Sequence, residues 1–277
     1  MEVSMPLEDE IGDVIGKARR GHGLGLPAVA VEVGRSADEL AAMERYERAP
    51  TRAEVDLFAR LFSLPADRLW GIATEAWDAP EVPLRTPDFR IERITLPYPV
   101  HCFLVGASDG TCVVVDTGTD PGPLLAKIRT TGWSVAAILI THGHGDHTGG
   151  LTEVQRTTGA PVYIGAADAS AASDVAQEAV HPMEADQELS WGPLTARALA
   201  TPGHTPGSVS YLVGETAFVG DTLFAGSAGG TRSPDAYRAI LSSVRERLLR
   251  LPPETTVFPA HGPATTIANE RARNPFA

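Results

Sequence analysis

Cysteine is nearly absent, with Cys102 and Cys112 the only two in 277 residues. Both fall on what read as neighbouring strands around the turn Ala107-Ser108-Asp109-Gly110. If Gly106 faces Thr111, Cys102 lies opposite Val115 and Cys112 opposite Val105, out of register for a bridge. Two free buried thiols are expected, as in a reducing compartment. No apolar run approaches the length that crosses a bilayer, so no membrane partner is expected. The first residues, with Glu2, Glu8, Asp9 and Glu10, lack the basic and apolar regions of a signal peptide, and a cytoplasmic location is expected. Positive charge is also short: 23 Lys and Arg stand against 35 Asp and Glu, a net charge of -12. The acidic excess is spread over both parts of the chain, which disfavours polyanionic partners such as nucleic acid. No short-period repeat and no low-complexity tract occurs.

The length suits one large core, or a small domain plus a medium one. Within 1–80, Ile11, Val14, Ile15 and Ala18 repeat at helical spacing up to Gly21-His22-Gly23. Leu26 to Val33 and Asp38 to Arg48 give two short helical stretches around Gly34-Arg35-Ser36. Thr51 and Glu54 form a capping box ahead of the stripe Val55, Phe58, Ala59, Phe62, and Pro65 opens a last helix through Leu69 and Ile72. Five helices are therefore expected, limited by Asp78-Ala79-Pro80-Glu81-Val82-Pro83. The frame from Leu24 through Ala42-Met43-Glu44-Arg45 and Ala49-Pro50-Thr51 to Leu64-Pro65-Ala66-Asp67-Arg68-Leu69 resembles repressor-type helix-turn-helix domains. In such domains the second paired helix enters the major groove, and here it would present Asp38 and Glu39 to phosphates. The resemblance thus implies a module degenerate for DNA binding, with a structural, dimerising or partner-binding role and a homodimer through it. Arg19, Arg20 and Arg35 are its candidate DNA contacts.

Residues 84 to 277 are organised around Thr141-His142-Gly143-His144-Gly145-Asp146-His147. The continuous apolar run Val135 to Ile140 before it reads as a strand buried on both faces, so the histidines begin where that strand ends. Ligand sites gather at the carboxyl ends of such strands. Thr201 to Ser208 delivers His204, Val219 to Phe224 delivers Asp221, and Val257 to Gly262 delivers His261, each beside an apolar run. Elsewhere, strands are expected at Phe89 to Leu96, Val100 to Val105, Cys112 to Val115 and Pro161 to Ile164. Glu188 to Ala200 should give two more around Gly192, with a hairpin around Gly214-Glu215 and a last strand at Thr256 to Phe258. Helices are expected near Pro121 to Thr130, over Leu151 to Thr158 and Ala166 to Ala176, and as one long helix over Asp235 to Leu251. This order predicts an α/β chain in which two packed sheets are covered by helices on both outer sides.

The pattern HxHxDH followed by His, Asp and His resembles the metallo-β-lactamase superfamily, whose αββα sandwich the resemblance implies for 84–277. It implies two divalent ions per chain, zinc in the first place, with iron or manganese possible. His142, His144 and His204 would hold the first ion and Asp146, His147 and His261 the second. Asp221 would bridge both. Asp146, Asp221 and Thr141 are the implied catalytic residues, and Asp116, in Asp116-Thr117-Gly118, would support the metal loop from below. Thr201 to Ser208, Gly220 to Ser227 and the tail from His261 to Ile267 resemble small glyoxalase II-type enzymes. That likeness implies hydrolysis of a small thioester or ester by hydroxide bridging the ions. True β-lactamases of the superfamily carry Cys or Ser at the position of Asp221, which argues against antibiotic hydrolysis. Ala228 to Ser233 replaces the segment that recognises glutathione in the larger glyoxalases. Arg232, Tyr237 and His181 are candidate substrate contacts, while His22 and His101 read as partly buried or loop histidines. Two alternatives remain open: a mononuclear iron enzyme resembling persulfide dioxygenases, and a transcriptional regulator with a metal-binding sensor domain.

Overall fold

The computed structural model describes residues 5–77, 79–97, 100–184 and 186–277. Glu2 and the linker residue Asp78 lie outside the described residues. The first segment forms α1 (Ile11–Gly21), α2 (Leu26–Glu32), α3 (Ala37–Glu44), α4 (Arg52–Phe62) and α5 (Ala66–Ala73). The Thr51–Glu54 capping box is present, and the same device, Ser36 with Glu39, starts α3. Val55, Phe58, Ala59 and Phe62 are all buried, as their spacing requires.

Two six-stranded sheets follow. The first runs in chain order: β1 (Phe89–Thr95), β2 (His101–Ala107), β3 (Thr111–Val115), β4 (Ser134–Leu139), β5 (Val162–Gly165) and β6 (Val180–Met183). Its first three strands are antiparallel and β3 to β6 are parallel. The second contains β7 (Gln187–Trp191), β8 (Leu194–Ala200), β9 (Val209–Val213) and β10 (Thr216–Gly220), and it is completed by β13 (Thr256–Pro259) and β14 (Thr265–Thr266). Its order is β14-β13-β10-β9-β8-β7. A separate ribbon, β11 (Leu223–Phe224) with β12 (Ser227–Ala228), sits just after Asp221. The remaining helices are α6 (Pro121–Thr131), α7 (Gly145–Thr148), α8 (Leu151–Thr158), α9 (Pro234–Ser242) and α10 (Ile267–Arg273).

Three apolar layers hold these elements. Phe103, Val113, Val115 and Leu139 of the first sheet meet Tyr211, Phe218 and Phe258 of the second. The other face of the first sheet, through Val114, Ile138 and Ile140, packs on Leu124 of α6 and on Leu151 and Val154 of α8. β4 therefore alternates between two cores, which is why its sequence is apolar without interruption. The outer face of the second sheet, through Ala217, Val219 and Val257, joins Ile240 of α9 and Ile267 of α10, and this cluster runs on into Ile15, Phe58 and Leu69. The five opening helices thus share a core with the second sheet's helical layer. Among the described residues no helix is long and apolar enough to cross a membrane.

Several expectations need correction. Gly106 pairs with Cys112 and Phe103 with Val115, so the β2–β3 register is one residue away from the expected one. Gly110, at φ +87°, and an Asp109 carboxylate that accepts from Thr111 N–H at 2.8 Å widen the turn by one residue. Both thiols are nonetheless free and buried. The long helix expected over Asp235 to Leu251 stops at Ser242 and continues as a π turn over Ser243–Arg247 and a 3-10 turn over Leu248–Arg250. Residues Ala166–Ala172 form a 3-10 helix, shorter than the helical stretch expected there. The short strands β6, β11, β12 and β14 and the helix α10 had no expectation attached, because two to seven residues carry too little periodicity to read.

Candidate metal centre

The metal loop is built from its floor upward. β3 ends at Val115, and Asp116 directly after it has a left-handed backbone at φ +56° and is 1% exposed. Its Oδ1 accepts from Thr141 N–H at 2.8 Å and its Oδ2 from Thr141 Oγ1 at 2.8 Å, with His147 Nδ1 2.9 Å from the same Oδ2. The ends of β3 and β4 are thereby locked together beneath the histidines. Gly220, at φ +50°, completes the floor, since a Cβ there would stand 2.4 Å from Thr141 Oγ1.

Above this floor the side chains converge. Nδ1 of His144 lies 3.1 Å from His142 Nε2 and 2.8 Å from His204 Nε2. Asp146 Oδ2 lies 3.6 Å from His147 Nε2 and 3.5 Å from His261 Nε2. Asp221 stands between the two groups, its Oδ1 3.5 Å from Nε2 of both His147 and His261 and its Oδ2 3.5 Å from His204 Nε2. Three sets emerge with ligand atoms within 4.8 Å of one another: His142, His144 and His204; His142, His147 and Asp221; and Asp146, His147 and His261.

Hydrogen bonds from outside the centre turn two of its rings inward. His147 Nδ1 faces Asp116, and His204 Nδ1 faces the Gly230 carbonyl at 2.8 Å, so each ring turns its Nε2 lone pair inward. His147 Nε2 and Asp221 Oδ1 are buried and have no hydrogen-bond partner. Such orphans are costly in a dry interior. A cation between them would satisfy both, and imidazole with carboxylate is a donor set that suits zinc or iron. The electrostatics agree. Burial lowers the pKa of His142 and of His204, which keeps them neutral. Burial also works against a charged His147, yet the carboxylates of Asp116, Asp221 and Asp146 outweigh it and raise its pKa. Hydrogen bonding to His261 holds the Asp146 carboxyl well below the usual range. The centre is thus arranged to receive positive charge.

Two supporting residues escaped the sequence reading. Asp168, in the 3-10 helix after β5, accepts from Gly143 N–H at 2.8 Å, Thr205 Oγ1 at 2.5 Å and Gly207 N–H at 3.1 Å. It ties the loop of His142 and His144 to the loop of His204. Its one sequence signal is a lone carboxylate among small residues, Ala166-Ala167-Asp168-Ala169. His101, expected to be a bland buried histidine, bridges Thr95 Oγ1 and the Gly262 carbonyl at 3.0 Å each. It thereby braces the corner beside His261, and burial lowers its pKa to about 4, so it stays neutral.

The candidate substrate contacts separate. Arg232 is exposed and lines a cavity of about 190 Å³ together with His144, His204 and Thr205. Tyr237 does not reach that cleft. It is buried between α9 and α1 against Gly21, His22 and Phe276, and its hydroxyl has no partner. His181 is exposed on β6 and stacks on Tyr163 with ring centroids 5.0 Å apart. A larger cavity of about 610 Å³ lies among Leu7, Ile11, Met43, Ile72 and Trp77, and none of the seven converging residues lines it.

The arginines offered as DNA contacts are engaged within the chain. Arg19 makes a two-point contact with Glu44 at 2.6 and 2.8 Å, and Arg20 lies 3.8 Å from the same carboxylate. Arg35 donates to Glu54 at 2.5 Å.

Comparison with known proteins agrees with this geometry. Residues 95–261 match the family model described as the metallo-beta-lactamase superfamily. The chain is 39% identical over 186 residues to the probable metallo-hydrolase YqgX of Bacillus subtilis, covering 61% of this chain and 88% of that one. It is 36% identical over 166 residues to a hydroxyacylglutathione hydrolase of Rhodospirillum rubrum, covering 59% of this chain and 60% of that one. Among solved structures, that of TTHA1623 in a di-iron-bound form superposes with a TM-score of 0.56 at 36% identity, over 67% of this chain and 100% of that one.

Proposed function

We propose that this chain, which belongs to the metallo-beta-lactamase superfamily, is a binuclear metal hydrolase acting on a small thioester or ester. The observation that carries the reading is the Asp221 carboxylate. One oxygen faces His147 and His261 and the other faces His204, so a single side chain addresses two sets of imidazoles. His142, His144 and His204 would hold one ion and Asp146, His147 and His261 the other, with Asp221 shared. The pair of ions would lower the pKa of a bound water from about 15.7 toward about 7, giving a nucleophile at neutral pH without a separate side-chain base.

The chain's own residues supply orientation and exclusion. Asp116 and Gly230 fix the ring faces of His147 and His204, and Thr141, 2% exposed, fills the space beneath them. Asp168 keeps the two histidine loops at a set separation. Arg232 stands at the mouth, where it can meet an anionic part of the substrate. The likeness to a hydroxyacylglutathione hydrolase supports a thioester, whose thiolate leaving group a soft or borderline cation accepts well.

Metal analysis of the purified chain with a screen of acyl thioesters, S-lactoylglutathione included, tests the reading. Two equivalents of zinc or iron and turnover that His144→Ala abolishes are expected. One iron per chain with oxygen uptake would replace it by a dioxygenase.

For the opening helices, which resemble a repressor-type helix-turn-helix, we infer a structural role. Arg19 and Arg35 are committed to Glu44 and Glu54, while Asp38 and Glu39 occupy the first turn of α3. A gel-shift titration at low ionic strength is expected to show no salt-sensitive DNA binding, and a clear shift would reverse the inference.

A further inference from the structure

We infer that Lys17, on the opening helix α1, is a positioning residue of the metal centre, because its ammonium group fixes the β11–β12 ribbon that orients His204 and backs His261. This rests on the binuclear metal reading, and it gives the opening helices a part in that centre.

Lys17 lies outside residues 95–261, the part that matches the family, yet its side chain is only 13% exposed. It donates to the Ala228 carbonyl at 2.8 Å and to the Asp9 carboxylate, and its Nζ stands 4.9 Å from the centroid of the Phe224 ring. An ammonium has three N–H groups, and here a carbonyl, a carboxylate and a ring face are set to receive them. Asp9 is buried and also accepts from Ser227 Oγ, so two adjacent ribbon residues hang on one ion pair.

From each attachment the path to a metal ligand is short. Ala228 ends β12, and two residues on, the Gly230 carbonyl lies 2.8 Å from His204 Nδ1 and sets which side of that ring turns inward. Between them, a Cβ on Gly229 would strike the Asp221 carbonyl oxygen and stand 3.1 Å from His204 Nδ1. A strand packed this closely cannot shift without moving Asp221 and His204 with it. On the paired strand, the Phe224 ring meets His261 edge-on with centroids 5.9 Å apart. Glu270 accepts from Gly226 N–H at 3.0 Å, and Asn274 donates to the Ser227 carbonyl at 2.8 Å. The chain's last helix thus holds the turn of the ribbon, while Lys17 touches both of its strands.

The test uses the full chain loaded with cobalt, whose visible absorption reports ligand geometry, with affinity measured by competition against a chromophoric chelator. Groups directly behind a metal ligand are worth about 10- to 100-fold in affinity, and Lys17 acts one step further back, so Lys17→Met is expected to cost about three- to tenfold. Its absorption bands should also change in position or intensity. Because this variant leaves Asp9 buried without its cation, Lys17→Met combined with Asp9→Asn removes both charges. The double variant is expected to regain stability in urea and keep the altered spectrum. Phe58→Leu, in the core of the opening helices, should lower stability and leave the spectrum of the wild type. Wild-type spectra and affinities in both Lys17 variants overturn the inference. So does a spectrum that recovers with stability in the double variant, or an equal change in Phe58→Leu, since either makes Lys17 an anchor for folding alone. These outcomes leave the metal reading intact, whereas a wild type that takes up no cobalt removes that reading and the inference together.

Discussion

Asp116 Oδ2 lies 2.9 Å from Nδ1 of His147, and the same oxygen accepts from Thr141 Oγ1 at 2.8 Å. A single buried carboxylate thus orients one ring of the centre and closes the floor beneath it. This arrangement raises ligand basicity and fixes the tautomer, the usual work of a group behind a metal ligand.

Asp116→Asn tests that link. Asn tolerates the left-handed backbone at φ +56° and can still accept from Thr141, but it cannot carry the charge that faces His147. Metal affinity is expected to fall about 10- to 100-fold, and the metal-free chain to lose about 1–3 kcal/mol, because the single Asn oxygen cannot accept from both Thr141 and His147. Competition against a chromophoric chelator measures it, and an unaltered affinity would remove Asp116 from the site.

Asp168→Ala should damage the centre from a distance. It strands the Gly143 and Gly207 N–H groups together, while the Thr205 hydroxyl keeps Ser208 Oγ at 2.8 Å. At about 1–3 kcal/mol for each buried group left unsatisfied, a loss of roughly 3 kcal/mol or more is expected. Urea unfolding of the metal-free protein reads this, and metal retention should drop alongside.

Glu270 gives a pH prediction. It is fully buried among Thr265, Asn274 and the Gly226 N–H, and burial raises its pKa to about 7 from 4.5. The folded state therefore binds the proton more tightly than the unfolded state does. The resulting stability is present below about pH 4.5 and is lost as pH rises through 7. The loss is on the order of 3 kcal/mol across that window. Glu270→Gln should flatten this part of the profile. Denaturant midpoints of both proteins at pH 5 and pH 8 check it, and parallel profiles would contradict it.

The two thiols should be silent in the native state. Burial pushes the Cys112 thiol up to about 12 and the Cys102 thiol up as well, so little thiolate forms near neutrality. A disulfide-exchange colour reagent is expected to find no fast-reacting thiol in native protein and two after unfolding.

The elements around the site were legible where periodicity ran long or chemistry was dense. The unbroken apolar run ending at Ile140 announced a strand buried on both faces, and β4 touches two separate cores. Four potential ligands within Thr141 to His147, with His204, Asp221 and His261 each beside an apolar run, announced the convergence that the distances show. The capping box Thr51–Glu54 announced α4. Such signals are local, because each sits within one turn or one strand of the residue it concerns.

What failed was what depends on position in three dimensions. The cysteine register slipped by one because a single extra turn residue shifts every pairing beyond it. Tyr237 was offered as a substrate contact, yet the helix that carries it packs on Gly21 and turns the ring into the junction with α1.

By itself the sequence determined the kind of chemistry, since histidines and carboxylates at strand ends keep their donor atoms whatever packs around them. Only the tertiary structure decided which distant residues serve that chemistry. Asp168 and His101 carry no local signature, and their roles arise because folding sets a carboxylate 2.8 Å from Gly143 N–H and an imidazole 3.0 Å from the Gly262 carbonyl.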